Sequence, residues 1–256
     1  MLSFFRKTRQ ILLESGSVRK YIIYAIGEIA LVVIGILIAL QINSWNQEKK
    51  ERTLEQDYIV RLKDEMKENL EFFKFRIEFD SFGTDNVDLI LSALKDNNVP
   101  SDPEQLAVAI EQIGWGLHFQ HVDDVWNELI NNGNIRLLQN DELRDKITSY
   151  HSQVEAIIDI QYTWIDFALG YRRLAGNILE PDLRTYIAAK YGPATSTQSI
   201  PKIPNAEYII DELEKIEDLN SYLADIKIGQ NFNVTMMKTV SESIKDIIAI
   251  CDREIN

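Results

Sequence analysis

The residues with the clearest chemical potential cluster in one short stretch, His118, His121, Asp123 and Asp124. Two imidazoles at i and i+3 with a carboxylate such as Asp124 beside them form half of a transition-metal site, and His151 is the remaining histidine. Such a site would support metal-assisted catalysis. Gly114 and Gly116 leave the local conformation open, however, and three histidines in 256 residues is an ordinary number. Histidines satisfied at the surface or in the core are the competing reading. No Gly-rich phosphate loop, H-E-x-x-H, G-x-S-x-G or C-x-x-C motif occurs, so the usual hydrolase, nucleotide and redox classes lack support. The many carboxylates read as a solvated helical face rather than an acid/base pair. We assign no catalytic residue, cofactor or metal from the sequence, and keep His118, His121 and Asp124 only as ligands of an alternative metal-assisted enzyme. Trp115, Trp126 and Trp164 read as core anchors, with Trp115 also placed to line a ligand cleft. Asn233-Val234-Thr235 matches a glycosylation sequon.

Glu28 is a second residue of interest, because it interrupts an apolar run from Ile22 to Ile42. As a helix those 21 residues are about 31 Å long, matching a hydrocarbon core of about 30 Å. Thirteen Ile, Leu and Val residues contribute roughly -4 to -8 kcal/mol to insertion, against about +3 for one acid at the centre. A transmembrane helix is therefore expected in spite of the glutamate. At 100° per residue Tyr24, Glu28, Val32, Gly35, Ala39 and Ile42 share one stripe. Gly35 and Ala39, four residues apart, let another helix approach closely, which would turn Glu28 toward a partner or a second copy of the chain. The alternative is that Glu28 stays hydrated through a local defect or is protonated.

Charge orients the span. Residues 1–20 hold Arg6, Lys7, Arg9, Arg19 and Lys20 against Glu14, a net +4, whereas a mixed-charge segment follows Trp45. The positive-inside bias then puts the N-terminus in the cytoplasm and everything after the span outside it. The apolar run is longer than a signal-peptide core and no A-x-A-like site follows, so we read an uncleaved anchor. Leu2, Phe4, Phe5 and Ile11 to Leu13 interleave with the basic residues, a pattern suited either to anionic lipid headgroups or simply to setting topology. From Asn43 onward 22 basic residues face 38 acidic ones, a net -16. Such a field repels phosphate backbones and argues against nucleic acid as a partner. Cys251, the single cysteine, reads as a small packed apolar group.

The stretch F-F-R-K-T-R-Q at residues 4–10, with Y-A-I-G-E-I-A-L-V-V-I-G-I-L-I-A-L-Q-I-N-S-W-N at 24–46, resembles a bacterial family of unknown function numbered six-zero-nine-zero. Phe4, Arg6, Gly27, Glu28, Gly35, Gln41, Asn43, Trp45 and Asn46 carry the likeness, and the block from Trp126 to Ile147 is similar too. The resemblance implies an inner-membrane protein with a periplasmic helical domain. It implies no activity.

Beyond the span, Leu54, Tyr58, Leu62, Met66, Leu70, Phe73 and Ile77 recur at the helical period. No Gly or Pro falls between Ile36 and Phe82, so the span can run on as a stalk to Asp80, unless the polar patch Asn43 to Asn46 bends it. Ser101-Asp102-Pro103-Glu104 starts a helix that ends before Gly114. Another is expected over Val122 to Asn131 with Gly133 as a left-handed cap, and Asn140 caps a long one that stops near Pro181. Shorter helices cover Leu183 to Lys190 and Ala206 to Ile216, and a long one runs from Leu219 to Ile255. Gly192 to Asn205, with three prolines, is the longest loop and thus a candidate functional segment. No second membrane run and no lipidation signal are expected.

The expected fold is all-α, with a basic segment at 1–21, a transmembrane helix at 22–42 and an acidic domain at 43–256 built as an antiparallel bundle. The expected function is a membrane-anchored interaction or ligand-binding module in the periplasm, with a place as one subunit of an inner-membrane assembly as one form of it. Membrane lipid is its first partner, and a second copy or another membrane protein would meet the Glu28, Gly35 and Ala39 stripe. The twenty cytoplasmic residues leave no room for an output domain, so signalling would pass through partner helices. A metal-assisted enzyme and a structural envelope scaffold are the alternatives.

Overall fold

The computed structural model describes residues 18–96, 98–116, 119–191, 206–216 and 218–255. His118, the N-terminal basic segment before Val18 and the 192–205 loop lie outside them. Every regular element among the described residues is helical. In chain order they are α1 (Val18–Lys95), α2 (Pro103–Ile113), α3 (Asp124–Asn131), a 3-10 turn (Asn134–Leu137), α4 (Asp141–Ala175), α5 (Pro181–Tyr191), α6 (Ala206–Leu213) and α7 (Leu219–Ile255). The chain forms two compact units, Met1–Asp57 and Tyr58–Asn256.

In the first unit α1 is unbroken through Asn43 to Asn46, so that polar patch does not end it. The mean hydropathy of its apolar stretch reaches 2.6, and none of that stretch is buried within the protein. From Ile22 to Ile42 the large apolar side chains stand uncovered, with Leu31 69% exposed. By length and composition this helix can cross a membrane. A helix is also the one single-segment conformation that satisfies its own backbone in lipid. Leu54, which the periodicity placed on an apolar stripe, is 40% exposed.

The second unit is built on three long helices. Lys63 pairs with Asp252 and Lys227 with Asp88, so α1 and α7 run in opposite directions. Asn140 meets Glu254 at 2.7 Å and Lys146 meets Asp246 at 2.7 Å, which makes α4 antiparallel to α7 as well. Asn140 caps α4 as its position predicts, accepting from Leu143 N at 3.0 Å. α2 is capped by Asp102, with Pro103 opening its first turn. That helix is buried almost all round, Leu106 to Ile110 being at most 7% exposed.

Two differences from the sequence pattern have local causes. α1 continues fifteen residues past Asp80, through Gly83, to Lys95. A glycine inside a helix costs about 1 kcal/mol, and the burial of Val87, Ile90 and Ala93 beyond it outweighs that. α3 begins at Asp124 rather than Val122, because the Val122 backbone is held by a side chain of α1 instead of a helical turn.

Two apolar cores result. One gathers Tyr58, Leu62, Met66 and Phe73 of α1 with Ile147 and Val154 of α4 and Val240 to Cys251 of α7. The other gathers Val87 and Ile90 with α2, the end of α4, α5, α6 and the start of α7. Between the two sequence bands that feed them, each long helix carries polar residues where its apolar stripe should continue.

Candidate functional site

Arg76 and Asp80 of α1 lie one turn apart, with Arg76 Nε 2.9 Å from Asp80 Oδ2 and side chains only 4% and 3% exposed. Burial pushes the Asp80 carboxyl above the ordinary aspartate range, while Arg76 and a hydrogen bond from Asn233 pull it down. A buried pair of this kind needs every remaining polar atom matched, because desolvation consumes most of the Coulombic gain. α4 supplies Gln161 and Trp164, and α7 supplies Gln230 and Asn233. Gln161 Oε1 accepts from Phe119 N at 2.7 Å. Gln161 Nε2, Trp164 Nε1, Gln230 Oε1 and Asn233 Oδ1 are buried with no hydrogen-bond partner among the described residues. These are two donors and two acceptors around a cavity of about 40 Å³, lined also by Arg76 and Asp80. Asn233 is 3% exposed, so the sequon asparagine is a packing residue.

Two glycines shape this layer. A Cβ on Gly229 would lie 2.7 Å from indole carbons of Trp164, so the ring seats directly on the α7 backbone. A Cβ on Gly83 would lie 2.1 Å from Gln230 Nε2, so that carboxamide rests on α1.

Gln230 and Trp115 are shared with a second, larger cavity of about 250 Å³. Phe79, Phe82, Trp115 and Tyr191 provide its rings, and Asn86, Gln112 and Gln230 its carboxamides. Asn86 Nδ2 donates to Gln112 Oε1 at 3.3 Å. Trp115 Nε1 donates to Glu111 Oε1 at 3.4 Å, and Arg184 Nε reaches Glu111 Oε2 at 2.7 Å. The indole is thereby fixed by a neutralised carboxylate. Trp115, read from the sequence as a core anchor with a ligand cleft as the alternative, packs against the second core and also lines this cavity.

His118 of the expected half-site lies outside the described residues, and around His121 and His151 the buried polar side chains serve the backbone. Asn69 of α1 clasps Val122, donating to its carbonyl at 2.8 Å and accepting from its N–H at 2.7 Å. Glu65 Oε2 accepts from Val125 N at 2.8 Å. With Gln161 on Phe119, three buried polar side chains strap the segment that leads into α3. Burial raises the Glu65 carboxyl to about 7, against the pull of Val125 N. His151 stacks on Trp126 at 4.3 Å between centroids, and burial with His121 nearby lowers it to about 3. His121 lies 3.6 Å from Asp123 and is also lowered by burial. Among the described residues no group of three His, Cys, Asp or Glu side chains is placed to hold a metal. Asp124 is exposed at the start of α3, and the contact His121 makes is to Asp123.

Glu28, Gly35 and Ala39 lie on the apolar part of α1 in the first unit. No protein atom outside the helix backbone lies within 4 Å of a Cβ built on Gly35, so packing within the chain does not require that glycine.

Arg76, Asp80, Gln161, Gln230 and Asn233 escaped the sequence reading. Their signal is a gap: the α7 stripe jumps from Ile226 to Met237, and the α4 stripe from Ile157 to Trp164 and Ala168. Residues 28–81 match a family of unknown function (DUF6090), the family that the N-terminal motif resembles. Neither the curated proteins nor the solved structures include a match to the chain.

Proposed function

We propose that this chain is a single-pass anchor protein of a bacterial inner membrane, whose helical domain acts outside the cytoplasm as a non-catalytic binding module. The observation that carries the reading is the stretch Ile22 to Ile42, whose large apolar side chains are about half exposed or more among the described residues. Soluble proteins rarely leave so large an apolar patch in water, and lipid removes it. The excess of basic residues before the span orients it, with the acidic antiparallel bundle on the far side. Binding rather than catalysis is favoured because Asn69 and Glu65 strap backbone and Arg76 pairs with Asp80, while the unmatched buried groups around the inner cavity are carboxamides and an indole, which suit hydrogen bonding rather than acid/base chemistry.

The stripe of Glu28, Gly35 and Ala39 is the contact by which this anchor meets a second helix. The small residues permit close approach, and a partner shields the acid from lipid.

A thiol-labelling experiment tests both parts. Cys251 is fully buried and its thiol is pushed up to about 12, so it stays silent toward maleimides. Ser152 is exposed on α4, and Ser152→Cys in the full chain is expected to react with an impermeant maleimide on intact spheroplasts. Reaction only after lysis overturns the orientation, and release of the protein by alkaline carbonate overturns the anchor. Ala39→Cys is expected to crosslink to a second helix under mild oxidation. Absence of any crosslinked species removes the stripe from the proposal.

A further inference from the structure

We propose that the pocket between α1, α2 and α7 binds a small, uncharged, flat ring that carries an amide-type N–H. The inference rests on the reading of the domain as a binding module and names its site and ligand class. Four rings, Phe79, Phe82, Trp115 and Tyr191, line about 250 Å³, somewhat below the usual range for small-molecule pockets. Aromatic walls favour a flat ring through offset or edge contacts. None of the described residues lining the pocket is ionised. The charges behind it are compensated, Arg76 by Asp80 and Glu111 by Arg184. A charged ligand would lose its hydration with no free counter-charge to replace it, which selects a neutral one.

The polar end of the ligand is specified by atoms already in place. Among the described residues Gln230 Oε1 is a buried acceptor with no donor, at the wall shared with the inner cavity. A buried acceptor left unpaired carries its full desolvation cost, so a ligand N–H placed there gains more than an exposed hydrogen bond would. Gln112, on α2, has its Oε1 engaged by Asn86 Nδ2, so its Nε2 is the donor offered to a ligand carbonyl. A ring with a primary amide satisfies both requirements at once.

Benzamide is the minimal probe, and the full chain in mild detergent is the sample. Saturation-transfer NMR titrations are expected to give saturable benzamide binding with a dissociation constant on the order of 1 mM. Benzoate, with the same ring and a charge, and acetamide, with the head and no ring, are each expected to bind at least tenfold more weakly. Phe82 is 49% exposed, so Phe82→Ala leaves the core intact while removing one wall, and at least a fivefold loss of benzamide affinity is expected. Gln112→Ala removes a polar edge from a half-buried position and should have a similar effect. No saturable benzamide signal, equal binding of benzoate, or affinity unchanged in both variants overturns the proposal. The spheroplast labelling is independent of the pocket, so failure here leaves the anchored module standing.

Discussion

Arg76 and Asp80 form a buried ion pair in the polar layer between two apolar cores, and the consequence at the scale of single residues is an asymmetry. Removing one partner strands the other, whereas removing both relieves desolvation. Asp80→Leu leaves the Arg76 guanidinium, 4% exposed, without that carboxylate, and is expected to cost about 3–5 kcal/mol. The double variant Arg76→Met/Asp80→Leu should recover most of the loss. Chemical denaturation of the detergent-solubilised chain measures both. A double variant as unstable as the single one would show that the pair is not the source of the effect, and that the amides of Gln161 and Asn233 hold the layer by themselves.

At the scale of elements, the same layer explains why two glycines at mid-helix positions should respond with opposite signs. Gly83→Ala directs a methyl at the Nε2 end of Gln230, a flexible tip that can swing aside, while α1 gains up to about 1 kcal/mol of helix propensity. Gly229→Ala drives a methyl to 2.7 Å from the Trp164 ring, which is wedged between α4 and α7 and cannot yield. Overpacking of that kind costs about 1–3 kcal/mol. Thermal unfolding should therefore rise slightly or stay unchanged for the first variant and fall clearly for the second. A shared direction would show that helix propensity rather than the indole seat controls both sites. The elements themselves were legible in the sequence where local chemistry decides them: Asn140 as a cap, Pro103 in a first turn, and the full extent of α7. The end of α1 was not, because Gly83 is a breaker by propensity and only the burial of Val87, Ile90 and Ala93 overrules it. The candidate pocket was legible only through Trp115. Its carboxamides come from α1, α2 and α7, and no spacing along one segment reports that three helices bring them together. The polar layer left a trace as gaps in the apolar stripes of α4 and α7, but a gap says where the core stops and not what replaces it.

At the scale of the whole molecule, stability should depend on pH through two buried groups that work against each other. Glu65 holds its proton more tightly in the folded state, at about 7 against an ordinary 4.5. Between those values the folded protein binds more protons than the unfolded chain, so this contribution is fully present below pH 4.5 and is lost as the pH rises through 7. His151 is the reverse, since its folded value of about 3 lies below an ordinary 6.5. Its contribution is present above pH 6.5 and is lost as the pH falls toward 3, with His121 shifted in the same direction. One proton corresponds to about 1.4 kcal/mol per pH unit, so the two slopes largely offset between pH 4.5 and 6.5 and the histidine limb stands alone below that. Glu65→Gln keeps a carbonyl oxygen for Val125 N and removes only the titration. Relative to the parent, its stability should improve by about 3 kcal/mol between pH 4.5 and pH 8. His151→Phe keeps a ring against Trp126 and should flatten the loss below pH 4.5. Denaturant midpoints at pH 3.5, 4.5, 6 and 8 for the three proteins separate the limbs. If the Glu65→Gln difference stays constant with pH, the carboxyl is not held neutral, and the strap on Val125 is an ionised one.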